Sequence, residues 1–332
     1  MRCPPVTFTV GILYLLVRMR AELLKLTANH PDIRALDADL HHLFTSWFNP
    51  GFLELHEITW NSPAQLLEKI IQHEAVHAID GWDDLRRRLQ PDRRCFGFFH
   101  PQLPGEPLIF VEVALVPDIA SDVAPLLDKK GVLTEDKKQK TAIFYSISNC
   151  QPGLRGVSLG NFLIKRVADR LLQEVPGLKA FSTLSPIPGF TAWLDQGAAL
   201  DPEQVSPARL KKAAEALTTL RLDRAKWAER LRSGWQPQEA TEAEREALMR
   251  LCALYLMYRT PHNGGDAVGK FHLTNGATLY RINWGADLSK KGIQQSAGIM
   301  VNYLYELDKV ETQHEAFMKR VVIYARGVEK WV

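Results

Sequence analysis

Between Phe144 and Phe190 the chain reads FYSISNCQPGLRGVSLGNFLIKRVADRLLQEVPGLKAFSTLSPIPGF, an order of signals that few folds accommodate. An apolar run, Ala142 to Ile147, leads through a glycine-bearing loop from Gln151 to Gly160 into a long amphipathic segment that begins near Asn161. The pattern predicts strand, tight loop and helix. Gly153, Gly156 and Gly160 let the backbone bend sharply so that its amides point at a ligand, and a helix N-terminus adds partial positive charge. Such a site suits a pyrophosphate. A second apolar run, Leu178 to Leu184, follows the helix and stops at Ser185-Pro186-Ile187-Pro188-Gly189. Prolines cannot continue a ladder or a helix, so Ser185 is expected at a rigid strand end.

The rest of the chain frames this unit. With 332 residues and 46% hydrophobic content the chain has material for a large core. Its 41 basic and 38 acidic side chains leave a net charge of +3, which argues against nucleic acid as a partner. Cys3, Cys95, Cys150 and Cys252 are scattered without a CxxC pair, favouring reduced thiols and an intracellular compartment. The apolar stretch from Val6 to Val17 is too short to span a bilayer and lacks the flanks of a signal peptide; secretion is not expected.

Apolar residues at helical spacing (Leu13, Leu16, Leu23, Leu24, then Leu36, Leu40, Leu43, Phe44) predict two or three helices before Trp47. Asn49-Pro50-Gly51 punctuates the chain, and a domain boundary is placed near Phe48. Ser62-Pro63 reads as a helix start, serine as cap and proline at the first position, opening a helix from Ala64 to Ile79. Cys95 to Phe99 and Leu108 to Val116 read as adjacent strands. The charged stretch Asp128 to Lys140 reads as a solvated loop. Ser206-Pro207 and the capping box from Thr241 to Glu244 open helices running to about Arg221 and Tyr258.

His73-Glu74-Ala75-Val76-His77 satisfies HExxH, which on a helix sets two imidazoles one turn apart. No third ligand follows at a helpful spacing, so the motif is read as a helix surface and no metal is assigned.

Four blocks resemble the malonyl-CoA decarboxylase family: SIS at Ser146 to Ser148, GLRGVSLGNFLIKRV at Gly153 to Val167, LSPIPGF at Leu184 to Phe190, and FHLTNGATLYRINWGADLSKKGIQQSAGIMVNYLYEL at Phe271 to Leu307. Weaker similarity extends from about Phe48 to Tyr305. The resemblance implies an α+β fold, with a helical N-terminal region over residues 1–48 and a catalytic domain of the acetyltransferase (GNAT) type over residues 49–332. That domain has a mixed central sheet and a helical insertion after the Ser185 turn. Two departures stand out. The acetyltransferase phosphate loop reads (Gln/Arg)-x-x-Gly-x-(Gly/Ala), and here Ser158 stands where glycine is usual. Family members also carry a longer helical N-terminal region than fits before Phe48.

Loss of carbon dioxide from a malonyl thioester leaves an enolate, so such an enzyme stabilises charge on the thioester oxygen and then delivers a proton to carbon. The thioester is the electron sink, so no cofactor is expected beyond the coenzyme A moiety of the substrate. Taken alone, His272 is more often a structural histidine and Ser185 a turn residue. The resemblance makes His272 the proton donor and Ser185 the active-site serine, both contacting substrate. A covalent acyl-serine is not required, because no acyl group is transferred. Tyr305, with Asn302 and Tyr303 beside it on an expected late strand, is the third catalytic candidate. Arg155, Gly156, Val157, Ser158, Leu159, Gly160 and Asn161 are expected to supply amides to the coenzyme A pyrophosphate, and Lys165 or Arg166 to meet phosphate. The expected partners are malonyl-CoA and acetyl-CoA, with a second copy of the chain in a homo-oligomer. The expected compartment is a bacterial cytoplasm, or else an organellar matrix. The competing readings are an N-acetyltransferase on the same cradle, with Tyr305 as general acid, and a noncatalytic acyl-CoA sensor.

Overall fold

Runs of β-branched and aromatic residues set the sheet: β1 (Glu54–Ile58), β2 (Arg93–Phe99), β3 (Ile109–Val116), β4 (Thr141–Asn149), β5 (Ala180–Thr183), β6 (Thr278–Asn283) and β7 (Met300–Tyr305). The computed structural model describes residues 6–27, 30–157, 159, 163–220 and 226–332. The strands lie in the order β1-β2-β3-β4-β5-β7-β6. β4 and β5 run parallel, whereas β5 with β7, β6 with β7, and β1 with β2 are antiparallel. A parallel pair needs a crossover, and the helix Leu163–Glu174 supplies it. The expected α+β arrangement with a mixed sheet is therefore present.

The chain divides into two compact units, Met1–Val113 with Ser146–Arg170, and Ala114–Tyr145 with Leu171–Val332. In the first, the helices Val6–Leu26 and Arg34–Trp47 precede β1, matching the two stretches of helical spacing. Arg20, almost wholly buried, donates from Nη1 to the carbonyls of Gly153 (2.7 Å) and Arg155 (3.0 Å) and from Nε to Asp37 (2.8 Å). The loop after β4 is thus anchored to the first helix. Ile58, Leu67, Ile70, Leu85 and Phe110 form the apolar centre of this unit. Among the described residues no helix is long and apolar enough to cross a membrane.

The helix opened by Ser62-Pro63 departs from expectation at both ends. It spans Ala64–His73 with Pro63 at the cap position, and Ser62 Oγ instead accepts the Thr59 amide at 3.1 Å. It stops at His73 because Glu74 turns to an extended backbone and its carboxylate accepts the amides of Val76 and His77 at 2.8 Å each. The single hydrogen of Ser146 Oγ is shared between both oxygens of that carboxylate, each 2.7 Å away, and Ser148 Oγ donates to one at 3.2 Å. Glu74 and His77 are consequently buried in a turn and do not lie on a helix surface.

In the second unit the stretch from β5 to β6 is the helical insertion: Phe190–Asp195, Pro207–Thr219, Lys226–Arg232, Glu242–Leu254 and Ala267–Thr274. Both expected starts hold. Ser206 stands at the N-cap position of the helix that begins at Pro207, although its side chain makes no capping bond. Thr241 Oγ1 accepts the Glu244 amide (3.2 Å) while Glu244 accepts the Thr241 amide (2.9 Å). The predicted end near Arg221 lies outside the described residues. The second helix continues through a π-helical turn, Tyr255–Arg259. Asp128 to Lys140 joins β3 to β4 as irregular chain with one short 3-10 turn, Asp136–Lys138.

Candidate active site

Ser185 lies one residue past the end of β5 plus Leu184, and it is fixed by two backbone bonds with Val301, 2.8 Å from its amide and 2.9 Å to its carbonyl. Pro186 and Pro188 then force the chain away from the ladder. His272 comes from the last turn of the helix Ala267–Thr274. Tyr303 and Tyr305 alternate along β7 and so share one face, as do Thr183 and Ser185.

These residues meet through hydrogen bonds. His272 Nε2 is 3.0 Å from Ser185 Oγ, and His272 Nδ1 is 2.9 Å from the Tyr305 hydroxyl. Ser185 Oγ donates to Thr183 Oγ1 at 2.9 Å, and Thr183 Oγ1 also accepts the Tyr303 amide at 3.1 Å. A hydroxyl has one hydrogen. With that hydrogen on the bond to Thr183, the bond between Ser185 and His272 takes its proton from Nε2, and Nδ1 accepts from Tyr305. One direction of donation runs from Tyr305 through His272 and Ser185 to Thr183.

Burial sets the charge state. Ser185, His272 and Tyr305 are each less than 5% exposed. Burial alone pulls the His272 pKa down from 6.5 to about 3, so the ring is neutral at pH 7. The same burial raises Tyr305 well above the usual phenol range. The cluster is an uncharged relay with a donor, Nε2–H, held beside a serine hydroxyl.

The sequence placed Ser185, His272 and Tyr305 among its candidates, and the structure brings all three together. It assigns Asn302 elsewhere. That side chain donates to the carbonyls of Thr183 (2.6 Å) and Ala120 (3.0 Å) and accepts from Arg281 (3.1 Å) and Asn283 (2.8 Å), which ties strands together. Thr183 and Asp266 were not singled out. Thr183 was legible from its place two residues before Ser185 on a strand. Asp266, which accepts the amides of Gly189 (3.0 Å) and Gly269 (2.8 Å), carries an N-cap signature but belongs to no motif.

In the other unit, Gly156 adopts φ +83°, the left-handed conformation that a sharp loop requires. The amides of Arg155 and Val157 close onto the carbonyls of Pro152 (3.1 Å) and Leu154 (2.9 Å). They are used within the loop, contrary to the expectation that they point at a ligand. Gly156 offers its carbonyl to His41 Nε2 at 3.0 Å, and Leu159 is buried. Ser158, Gly160 and Asn161 lie outside the described residues. Arg166 does not present a free cation: it donates to the carbonyls of Leu53 (2.9 Å) and Pro50 (3.4 Å) and lies over the ring of Phe98. Among the described residues, no group of three or more His, Cys, Asp or Glu is arranged to hold a metal ion.

The model of the malonyl-CoA decarboxylase C-terminal domain matches residues 51–332, and that of the N-terminal domain matches residues 10–48. The mitochondrial malonyl-CoA decarboxylase of Anser anser anser is 41% identical over 322 residues, covering 93% of this chain and 64% of its own length. That of Rattus norvegicus is 41% identical over 316 residues, covering 89% and 62%. The chain thus spans less than two thirds of the length of these curated relatives. The crystal structure of malonyl-CoA decarboxylase from Rhodopseudomonas palustris superposes with a TM-score of 0.81 at 45% identity, over 95% of this chain and 75% of that one.

Proposed function

Because this chain belongs to the malonyl-CoA decarboxylase family, we propose that it converts malonyl-CoA to acetyl-CoA and carbon dioxide, with Ser185, His272 and Tyr305 as the reacting constellation. The observation that carries the reading is the buried imidazole of His272 held between Ser185 Oγ, 3.0 Å from Nε2, and the Tyr305 hydroxyl, 2.9 Å from Nδ1.

Breaking the bond between the α-carbon and the carboxylate releases carbon dioxide and leaves the electron pair in the thioester as an enolate. In this reading bound substrate displaces Thr183 as the acceptor of the Ser185 hydroxyl hydrogen, which then donates to the thioester oxygen as it gains charge, a preorganised role in a buried site, and leaves Nε2–H for the α-carbon. The α-carbon then takes a proton, from Nε2 or from a water that it holds. As Nε2 gives up its proton Nδ1 takes one from the Tyr305 hydroxyl, so the ring passes to its other neutral tautomer and not to imidazolate, and the Tyr305 oxygen, whose charged form burial disfavours, is reprotonated at the end of the turnover. One proton per turnover comes from solvent and balances the reaction. No acyl group moves, so Ser185 binds and polarises without forming an ester. The thioester serves as electron sink and no further cofactor is invoked.

The loop from Arg155 to Asn161 is proposed as the coenzyme A contact, through amides other than those of Arg155 and Val157. The near-balance of charge favours a small-molecule substrate over nucleic acid. A homo-oligomer in a bacterial cytoplasm, or in an organellar matrix, completes the reading.

The test is incubation of purified chain with malonyl-CoA, following acetyl-CoA and carbon dioxide, beside His272→Ala and with a chelator present. Release that survives the chelator and is lost in the variant supports the proposal. Coenzyme A binding without release defeats it and favours an N-acetyltransferase or a noncatalytic acyl-CoA sensor.

A further inference from the structure

We infer that Asp266 is a positioning residue that sets the distance between Ser185 and His272. It is the buried carboxylate joining the two segments that carry them. Oδ2 accepts the amide of Gly189, four residues after Ser185, at 3.0 Å, and Oδ1 accepts the amide of Gly269, three residues before His272, at 2.8 Å. Between Ser185 and Gly189 the chain contains Pro186 and Pro188, whose fixed φ leaves little slack. Between Gly269 and His272 it is helix. Each half of the strap is therefore stiff, and fixing the two amides on one carboxylate fixes the serine against the imidazole.

The joint is closely packed at both glycines. A side chain at Gly189 would run into the Tyr255 hydroxyl, and one at Gly269 would come within 2.9 Å of the Tyr303 hydroxyl and 3.0 Å of Thr260 Cγ2. Tyr303 in turn stacks on His272. Burial pushes the Asp266 pKa up while the amides of Gly269, Gly189 and Val268, and after them the charge of Lys270, pull it down. The His272 pKa responds to burial and not to this carboxylate. Toward His272, then, Asp266 acts through placement and not through charge.

Serine is a good helix cap with one acceptor. Asp266→Ser keeps an acceptor for the Gly269 amide and removes the one for Gly189, separating the cap from the strap. The kinetic readout rests on the decarboxylase reading. Asp266→Ser should lower kcat by about 10- to 100-fold with KM little changed, the scale of a small misplacement of reacting groups, and the pH profile of kcat should keep its shape. In a Ser185→Ala background the same change should cost much less, because no serine hydroxyl remains to be placed. Equal losses in both backgrounds, or an unchanged kcat, overturn the proposal. Nitrogen-15 spectra of the histidines provide a readout without turnover: wild type should show His272 with one protonated and one unprotonated ring nitrogen in slow exchange, a signature lost in Asp266→Ser. Unaltered spectra also overturn it. Should the wild type release no carbon dioxide, the decarboxylase reading fails and these spectra still decide the role of Asp266.

Discussion

The imidazole of His272 lies against the ring of Tyr303, with centroids 4.8 Å apart and planes inclined by 26°. Stacking fixes the plane of the ring, and the Tyr305 hydroxyl at Nδ1 fixes its rotation within that plane. Alternate residues of one strand therefore hold the histidine in two independent ways.

Tyr305→Phe keeps the ring and removes only the donor to Nδ1. The proton is then no longer held on Nε2, and kcat for malonyl-CoA should fall by about 10- to 100-fold, within the range typical of lost acid–base assistance. Steady-state kinetics checks this. A kcat within twofold of wild type would remove Tyr305 from the relay.

Thr183→Val is close to isosteric and deletes the acceptor shared by Ser185 Oγ and the Tyr303 amide. The buried amide is left unsatisfied at a cost of about 1–3 kcal/mol, readable in urea denaturation. The Ser185 hydroxyl is also released to donate to Nε2, reversing the tautomer. The variant should therefore be both less stable and slower.

Acid should weaken the fold through His272. Its folded pKa of about 3 lies below the free value of 6.5, so below pH 6.5 the unfolded chain binds a proton that the folded one refuses. Stability is fully present above pH 6.5 and falls toward pH 3 by about 1.4 kcal/mol per pH unit from this group. In thermal unfolding across that window, His272→Gln should show a shallower decline than wild type. An equal slope would mean that the imidazole is protonated in the fold. The kcat profile should likewise lack a limb near pH 6.5.

Arg20→Ala removes the three bonds that Arg20 makes to Gly153, Arg155 and Asp37. Loss of buried charge-assisted bonds should cost about 2–3 kcal/mol. If the loop contacts coenzyme A, KM should rise with kcat largely retained, the sign of lost uniform binding. A reduced kcat at constant KM would argue against a binding role for the loop.

Much of the fold was legible because its signals are local. The capping box at Thr241, the proline stop after Ser185 and the alternation of β7 all act within a few residues. The helix through HExxH was misread because its end depends on Ser146, 72 residues from Glu74, whose hydroxyl draws that carboxylate inward. Arg166 looked like a phosphate ligand from its place after a glycine loop. Its occupation by the carbonyls of Pro50 and Leu53, more than 110 residues earlier, left no trace in the neighbouring sequence.

The sequence by itself determined the strand, loop, helix and strand order, the rigid strand end that presents Ser185, and the shared face of Tyr303 and Tyr305, since steric limits and side-chain period are properties of short segments. Only the tertiary structure decided that His272, 87 residues from Ser185, lies 3.0 Å from it, and that Asp266 joins their two segments. It also decided that the imidazole is neutral. A pKa is set by the water that folding removes and by the groups brought near, and both come from parts of the chain distant in sequence.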